Sequence, residues 1–329
     1  MYEIEGLEIG YGRTVLSTLE NVLVEPGEFI CLLGRNGQGK STLLRTLAGF
    51  ISAVNGEARL DGRPVPQWPA SERARKVAVV LTDRPMVGSL RVHELVAMGR
   101  QPYTGWTGAL SDKDREICDG SLKQVEAAHL RDRFVDSLSD GERQRVMIAR
   151  ALAQRPRVML LDEITAFLDL PSRVTITATL RRIAHETGVS IILSSHDLEL
   201  SLNAADRVWL LPGGGRFIDG APEDVALSGA IGEAFDQANL AFSLLNGRFE
   251  TRGGHRGTVF IEANGPSAVW LGRAVERLGF SVGGAEADAE AIVRQTSRGY
   301  EFKGETFSTV WSLSKALNRQ LGEAPRRCR

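Results

Sequence analysis

Cysteines are few in this sequence, and long apolar runs are missing from it. The three cysteines, Cys31, Cys118 and Cys328, are widely spaced and form no CxxC pair. This argues against a disulfide framework or a zinc site and fits a reducing compartment. Because no apolar run approaches the length of a membrane-spanning helix, none is predicted. The N-terminal residues MYEIEGLEIG do not resemble a secretory signal, so we expect a cytoplasmic protein.

An excess of charge of one sign is also missing. Lysine and arginine number 40 and the acidic residues 41, so the formal net charge is −1. No overall basic field would therefore attract nucleic acid, and we expect no nucleic-acid partner. The chain is 43% hydrophobic and 25% charged, as in an average globular protein. Its 329 residues suffice for one large and one smaller domain.

Strand-like and helix-like segments alternate over the first two thirds of the chain, which predicts an α/β fold with a largely parallel sheet. Short continuous apolar runs such as VMLL and SIILS are typical of strands buried on both faces. The predicted strands are 2–9, 17–24, 29–33, 77–81, 158–161, 190–193, 207–211 and 217–219. The predicted helices are 39–48, 92–100, 112–128, 141–154 and 170–187.

Two departures from this alternation divide the chain. Residues from about 84 to 155 are mainly helical in pattern and predict an inserted helical subdomain. After residue 220 the pattern restarts with a strand TVFIE and helices near 267–278 and 306–320, which predicts a C-terminal accessory α/β domain at 221–329. The turn NGPS at 264–267 opens a helix and could bind phosphate, but it carries no basic residue, so a structural loop is favoured.

The segment GRNGQGKS at residues 34–41 fits the phosphate-loop pattern G-x-x-x-x-G-K-[ST]. It follows the apolar strand FICLL and opens the helix STLLRTLA, which is the context that separates this motif from an ordinary glycine-rich turn. Backbone N–H groups would surround phosphate oxygens at the helix N-terminus. Lys40 would reach the β- and γ-phosphates, and Ser41 would ligate Mg²⁺. The predicted phosphate-binding residues are Gly34, Arg35, Asn36, Gly37, Gln38, Gly39, Lys40, Ser41 and Thr42.

An acidic pair follows the apolar run VMLL. Asp162 and Glu163 would lie at the carboxyl end of a buried strand, where ligands bind in parallel sheets. Alone, such a pair is more often a helix cap or a solvated loop. Beside a phosphate loop, we expect Asp162 to hold Mg²⁺ through a water and Glu163 to polarise the water that attacks the γ-phosphate.

The segment LSDGERQR at residues 138–145 is a polar turn that leads into the apolar-periodic helix VMIARALAQ. Locally it can be a plain N-cap, with Ser139 or Asp140 capping the helix. It also resembles LSGGQ, the signature of the ATP-binding cassette (ABC) ATPases. Further motifs resemble that family in the same order along the chain: Tyr11, the phosphate loop, the acidic pair, the D-loop AFLD at 166–169, and His196 after the strand SIILSS.

The resemblance implies a P-loop NTPase cassette in residues 1–220, with a parallel-sheet core, an antiparallel N-terminal β-subdomain and the inserted helical subdomain. It also implies ATP and Mg²⁺ as cofactors and a homodimer whose two copies face each other head to tail. Each ATP would then lie between the phosphate loop of one copy and the signature turn of the other. Binding of ATP would close the dimer, and loss of the γ-phosphate would let it open.

The same resemblance implies roles for single residues. Tyr11 would stack on adenine, and Ser139 and Gly141 would hold the γ-phosphate of the partner's ATP. His196 would bond the γ-phosphate of the ATP bound to its own copy. Asp169 of the D-loop would belong to the same nucleotide site. The predicted catalytic residues are Glu163, His196 and Lys40, and the predicted metal ligands are Ser41, Asp162 and Thr82.

The sequence departs from the family pattern at two places. Asp140 and Glu142 replace a glycine and the glutamine of LSGGQ, so their carboxylates must point away from a triphosphate or contact a basic residue such as Arg143 or Arg145. Thr82 occupies the position where the family usually has a glutamine that contacts Mg²⁺. Since threonine reaches less far, we expect a bridging water there, a substitute in the next residue, or slower hydrolysis.

The segment VHELVAMGRQP at 92–102 resembles the corresponding stretch of importers of iron–siderophore chelates, haem and vitamin B12. The resemblance implies an integral membrane permease as partner, a substrate-binding protein indirectly, and a position on the inner face of the cell membrane. Tyr103 and Trp106 suit a protein contact or core packing equally. Two alternatives are a non-transport ABC ATPase of the DNA-repair or translation type and a small-molecule kinase, although the kinase would lack LSDGE and the histidine.

Overall fold

The computed structural model describes residues 1–81, 89–105, 108–237, 240–244, 246–251 and 256–321. Contacts divide the chain into two compact units, Met1–Glu250 and Thr251–Arg329. The first unit thus continues beyond residue 220, where the sequence pattern places the boundary, because helices after that point pack into its core. None of the helices in the described ranges combines the length and the apolar character that crossing a bilayer requires.

The elements up to residue 251 alternate as the sequence predicts, with several short additions. The strands are β1 (Tyr2–Tyr11), β2 (Thr14–Val24), β3 (Phe29–Gly34), β4 (Asn55–Leu60), β5 (Arg63–Pro64), β6 (Val77–Val80), β7 (Val158–Asp162), β8 (Ser190–Ser194), β9 (Arg207–Gly213), β10 (Arg216–Gly220), β11 (Leu240–Ser243) and β12 (Arg248–Thr251). The helices are α1 (Lys40–Leu47), α2 (Ala70–Lys76), α3 (Val92–Ala97), α4 (Asp112–Gln124), α5 (Asp140–Ala153), α6 (Leu170–Thr187), α7 (Leu198–Ala204), α8 (Pro222–Leu227) and α9 (Ala230–Phe235).

The strands of the first unit form two main sheets. One is antiparallel in the order β2-β1-β4-β5, and the other has the order β10-β9-β3-β8-β7-β6 with only β9 and β10 antiparallel. Strands β3, β7 and β8 are buried along their whole length, which explains their continuous apolar runs. The predicted α/β fold with a parallel core and an antiparallel N-terminal subdomain is confirmed.

The parallel core brings distant parts of the chain to one edge. Strands β3, β7 and β8 are neighbours in the order β3-β8-β7 and run in the same direction. Their carboxyl ends therefore meet, and the next residues are the phosphate loop after β3, Glu163 after β7 and Ser195 after β8. This edge is where ligands bind in parallel sheets.

Helices α3, α4 and α5 lie between β6 and β7 and contribute buried side chains to one core. A buried arginine joins them: Arg100 is 5% exposed, its Nε donates to Asp114 Oδ1 over 2.8 Å, and its Nη1 donates to the carbonyl of Ala153 over 2.7 Å. Asp114 also accepts from the backbone N–H and the hydroxyl of Ser111, which caps α4. The ion pair therefore ties the start of α4 to the end of α5.

Tyr103 packs inside the fold rather than offering its ring to a partner. Its hydroxyl donates to the carbonyl of Gln154 over 2.8 Å, and its ring lies between the guanidinium groups of Arg100 and Arg75, 3.8 Å and 4.9 Å from the ring centroid. Of the two roles open from the sequence, core packing is the one that the contacts support.

Replacing Asp114 by Asn should destabilise the protein by about 3 kcal/mol at neutral pH, because it leaves the Arg100 charge buried without a counter-ion. Hydrogen bonds from Ser111, followed by the Arg100 guanidinium, lower the pKa of Asp114 to about 2. A lowered pKa stabilises the fold above the unfolded value of about 3.9, and that contribution is lost as the pH falls from about 4 through about 2.

Urea unfolding between pH 7 and pH 2 measures this difference. We expect the gap between the parent chain and the Asp114→Asn variant to close in that window. The control is Asp112→Asn in the same helical turn, because Asp112 is fully exposed and its ion pair with Arg115 is long, at 3.6 Å; this variant should unfold at nearly the same urea concentration as the parent. If the difference in free energy of unfolding between the parent and Asp114→Asn does not change with pH, the ionised Asp114 does not stabilise the fold through Arg100.

The second unit is a smaller α/β fold. Its elements are β13 (Thr258–Glu262), α10 (Gly265–Arg277), β14 (Ser281–Gly283), β15 (Ala291–Thr296), β16 (Gly299–Phe302), β17 (Glu305–Phe307) and α11 (Val310–Leu321), and its sheet has the order β14-β13-β15-β16-β17. The last helix begins later than predicted because residues 305–307 pair with β16. In the turn at 264–267, Ser267 Oγ accepts from Gln295 Nε2 over 3.1 Å.

Candidate functional site

The phosphate loop connects β3 to α1, and two of its glycines are demanded by close packing. A Cβ on Gly34 would lie 2.9 Å from the carbonyl oxygen of Leu211. Gly39 precedes α1 in the left-handed conformation at φ 96°, and a Cβ there would lie 3.3 Å from the side chain of Ile9. Only glycine combines this backbone conformation with so little space. The loop can therefore fold tightly enough to present N–H groups to an anion.

Lys40 lies folded over this loop. Its side chain is 4% exposed, and its Nζ donates to the carbonyls of Gly34 over 2.8 Å and Arg35 over 3.4 Å. Burial lowers the pKa of Lys40, while the nearby carboxylates of Glu163 and Asp162 act in the opposite direction. The ammonium group is thus held between the loop and the acidic pair, where it would meet the terminal phosphates of a nucleotide.

Tyr11 lies beside the first turn of α1. Its hydroxyl is 3.1 Å from Thr42 Oγ1, and 58% of the residue is exposed. The ring is therefore available to a planar ligand next to the phosphate loop. Its stacking on adenine stays a prediction.

Glu163 and His196 meet at the carboxyl edge of the sheet. His196 Nε2 lies 2.5 Å from Glu163 Oε1, although the two residues are far apart in the sequence. Glu163 has φ 49°, a left-handed conformation that is uncommon for a non-glycine residue. The side chains are 27% and 41% exposed, so solvent and a ligand can reach both.

The backbone around this pair is held by hydrogen bonds between strand ends and by a helix cap. Glu163 N donates to the carbonyl of Ser194 over 3.2 Å, and Ser195 N donates to the carbonyl of Leu32 over 3.1 Å. Asp197 caps α7 by accepting from Leu200 N over 3.1 Å. These contacts hold the strand ends in register, so that Glu163 and His196 can act as a unit.

The donors near the phosphate loop suit Mg²⁺ in type. Asp162 ends β7 with 4% exposure, and Ser41 stands in the first turn of α1. Both offer oxygen, which Mg²⁺ prefers, and Mg²⁺ usually takes only one or two protein ligands beside phosphates and waters. In keeping with so sparse a donor set, no three of the described His, Cys, Asp or Glu residues form a self-sufficient metal cluster.

The signature turn forms a capping box at the N-terminus of α5, in which Ser139 and Glu142 bond each other's backbone. Ser139 Oγ accepts from Glu142 N over 3.3 Å, while Glu142 Oε2 accepts from the Ser139 N–H over 2.8 Å and from its hydroxyl over 3.0 Å. The local N-cap is therefore present. Whether Ser139 and Gly141 also bind a nucleotide stays a prediction.

The partner of Glu142 differs from the two arginines considered from the sequence. Glu142 Oε1 accepts from Arg133 Nη1 over 3.1 Å. Arg143 donates to the carbonyl of Val135, and Arg145 donates to the carboxylate of Glu126. Arg143 follows Glu142 directly and so points to another side of the helix.

Outside the phosphate loop, several of the predicted site residues line two separate cavities of one chain. Ser139, Gly141 and Asp169 line one cavity of about 430 Å³, and Asp169 itself caps α6 by accepting from Ser172 N over 3.2 Å. Glu163 and His196 line another cavity, of about 400 Å³. Of the residues that the structure describes, none of the phosphate loop lines either cavity, and none lines both.

One wall of the second cavity is missing from the sequence prediction. Gly247 and the first two residues of β12, Arg248 and Phe249, line it beside Glu163 and His196. Phe249 packs edge-on against two aromatic rings, with centroid distances of 6.0 Å to Phe235 and 5.5 Å to Phe242. These short segments carry no motif, so nothing in the sequence points to them.

The remaining predicted positions, Thr82, the residue after it, and Trp106, lie outside the described residues.

Comparisons with known proteins place the chain in a family. A sequence model described as ABC transporter matches residues 20–166. An uncharacterised ABC transporter ATP-binding protein of Methanocaldococcus jannaschii is 38% identical over 252 residues, which cover 77% of this chain and 87% of that protein. A hemin import ATP-binding protein of Gloeobacter violaceus is 41% identical over 221 residues, covering 65% and 79%. The ferric enterobactin transport ATP-binding protein of Escherichia coli is 33% identical over 227 residues, covering 69% and 84%.

Solved structures agree with these sequences. A Clostridium perfringens protein that is part of an ABC transporter complex matches with a TM-score of 0.62 and 28% identity over 70% of this chain and 92% of that one. A dimeric ATP-binding cassette with ADP and phosphate bound matches in fold, with a TM-score of 0.57 and 24% identity over 68% and 99%. By fold, motifs and relatives together, the chain belongs to the family of ABC transporter ATP-binding proteins.

Proposed function

We propose that this chain binds ATP with Mg²⁺ and hydrolyses it as a homodimer, and that hydrolysis powers an importer of iron chelates. The observation that carries the chemistry is the Glu163–His196 pair, 2.5 Å apart at the sheet edge where the phosphate loop also ends. A carboxylate next to a phosphate-binding loop can orient a water for attack on a terminal phosphate and accept its proton.

The residues divide the work at that edge. Lys40 would move from the loop carbonyls to the β- and γ-phosphates, which exchanges two neutral acceptors for charged ones. Glu163 would orient the attacking water and accept its proton, and His196, whose Nε2 contacts Glu163 Oε1, would turn that N–H toward the γ-phosphate. Ser41 and Asp162 would hold Mg²⁺, which neutralises charge that develops on the phosphate oxygens.

The two separate cavities support a dimer. Ser139, Gly141 and Asp169 line a cavity that contains no residue of the phosphate loop. In a head-to-tail homodimer, these residues of one copy would face the nucleotide on the phosphate loop of the other. Ser139 and the N-terminus of α5 would then close the γ-phosphate from the other side.

The relatives support the transport role. They are named for hemin import and for ferric enterobactin transport, and they match most of the first unit in length. A protein of this kind would act beside a membrane permease at the inner face of the membrane. Its partners would be that permease and, through it, a substrate-binding protein.

Affinity capture of the tagged chain from gently solubilised native membranes, followed by mass spectrometry, tests the transport role. We expect a polytopic permease and its binding protein to come along. The control pair is Met98→Glu, at an exposed residue of the segment 92–102, and Val269→Glu, at an exposed residue of the second unit. Only Met98→Glu should lose the permease. Capture of ribosomal or DNA-repair proteins without any permease would favour a non-transport ATPase instead.

A further inference from the structure

The cavity beside the signature turn carries several carboxylates where a triphosphate is to bind. Among the described residues, its lining includes the carboxylates of Asp140, Glu142 and Asp169 and the guanidinium of Arg145. Arg145 is already engaged, because its Nη1 lies 3.2 Å from Glu126 Oε2. A nucleotide of the partner copy would therefore approach carboxylates at this turn, and Glu142 is the one bonded to Ser139.

Glu142 stands closest to the group that would bind phosphate. Its carboxylate accepts from both the N–H and the hydroxyl of Ser139, at 2.8 Å and 3.0 Å. The γ-phosphate of a partner's ATP would have to replace Glu142 as the acceptor of the hydrogen bond from the Ser139 hydroxyl. It would do so while lying next to the negative charge of Glu142. An uncompensated carboxylate here would repel the ligand that the turn is built to hold.

Arg133 supplies the compensation from outside the cavity. Its Nη1 donates to Glu142 Oε1 over 3.1 Å. Its Nη2 donates to the carbonyl of Ser137 over 2.7 Å, which fixes the guanidinium to the segment just before the turn. The two ends of the guanidinium thus bridge the approach to the signature turn and its acidic side chain, in a geometry that suits arginine rather than lysine.

We propose that Arg133 is a positioning residue of the composite ATP site: it neutralises and orients Glu142, so that the Ser139 turn can accept the triphosphate bound by a second copy of the chain. Arg133 touches neither substrate nor metal and acts only through Glu142. The inference rests on the proposed homodimer. It predicts that the effect of removing Arg133 depends on the charge of residue 142.

The experiment measures the ATP concentration at which half of the chains dimerise, by light scattering after size exclusion with Mg²⁺. All variants carry Glu163→Gln so that ATP is not consumed. Arg133→Ala should raise this concentration about threefold to fivefold, the range of an exposed ion pair, and less at high salt. For Arg133→Lys, we expect a half-dimerising ATP concentration between those of the Arg133 chain and the Arg133→Ala variant.

The double variant is decisive. With Glu142→Gln present, Arg133→Ala should change the half-dimerising concentration by less than about 1.5-fold, because no charge is left to neutralise. Glu142→Gln alone should lower that concentration, since its amide oxygen can still accept from Ser139. The control is Arg131→Ala, which removes a nearby arginine that pairs with Asp119 over 3.0 Å and should have no effect.

Two results would overturn the proposal. Equal effects of Arg133→Ala with Glu and with Gln at position 142 would mean that Arg133 acts through the fold. A higher ATP requirement for Glu142→Gln would mean that its charge does not oppose the ligand. If the Glu163→Gln chain itself stays monomeric with Mg²⁺ and ATP, then the homodimer fails first, and the role of Arg133 fails with it.

Discussion

The Glu163→Gln chain should hydrolyse ATP about a thousandfold more slowly than the parent and should accumulate as an ATP-bound dimer. The amide keeps the shape of the side chain and can still contact His196, 2.5 Å from the carboxylate in the parent. It cannot take a proton from water, and loss of a general base costs about two to four orders of magnitude in rate. Binding should persist because Lys40 and the phosphate loop are untouched.

Phosphate release measures the rate, and sizing with Mg²⁺ and ATP measures the dimer. The matched control is Glu199→Gln, because Glu199 lines the same cavity and no described hydrogen bond joins its carboxylate to His196. Its turnover should stay within about twofold of the parent. Retention of more than a tenth of the activity by Glu163→Gln would remove Glu163 from the role of base.

Replacing Lys40 by Ala should weaken ATP binding about a hundredfold, with little loss of stability. The Lys40 ammonium is buried against two loop carbonyls, and burial lowers its pKa. The folded protein alone thus gains little from this charge. A triphosphate gains a charge-assisted hydrogen bond from it, and such bonds contribute about 1.5 to 3 kcal/mol.

Isothermal titration with a non-hydrolysable ATP analogue measures the affinity, and urea unfolding measures the stability. Lys123→Ala, at an exposed lysine in the last turn of α4, serves as control and should alter neither. An unchanged affinity for Lys40→Ala would contradict the role of the phosphate loop. A fall in stability of several kcal/mol would show that Lys40 is chiefly structural.

Much of the fold follows from local pattern. The core strands β3, β7 and β8 read as apolar runs because both of their faces are buried. The helix ends are equally local, as with Gly188 at φ 72° after α6. Short elements such as β5, α7 and β14 escape prediction, since two to seven residues carry too little periodicity to be recognised.

The boundary of the first unit also escapes prediction. Helices α8 and α9 lie beyond residue 220, yet Val225 and Ile231 are buried in the core that the parallel sheet shares. A change of pattern in the sequence marks where one motif ends, but burial against distant strands decides which residues fold as a unit.

By itself the sequence determined the family and the chemical types at the site. A phosphate loop, an acidic pair after a buried strand and a serine before a helix are each local, because backbone direction and side-chain type over a few residues suffice for them. Tertiary structure alone decided which of these groups meet. The parallel sheet brings Glu163 to His196 at the edge between β7 and β8. The fold also pairs Glu142 with Arg133, although Arg143 and Arg145 are nearer in sequence. The partner of a long side chain depends on the direction in which that side chain leaves the backbone, and this direction is set only when the chain is folded.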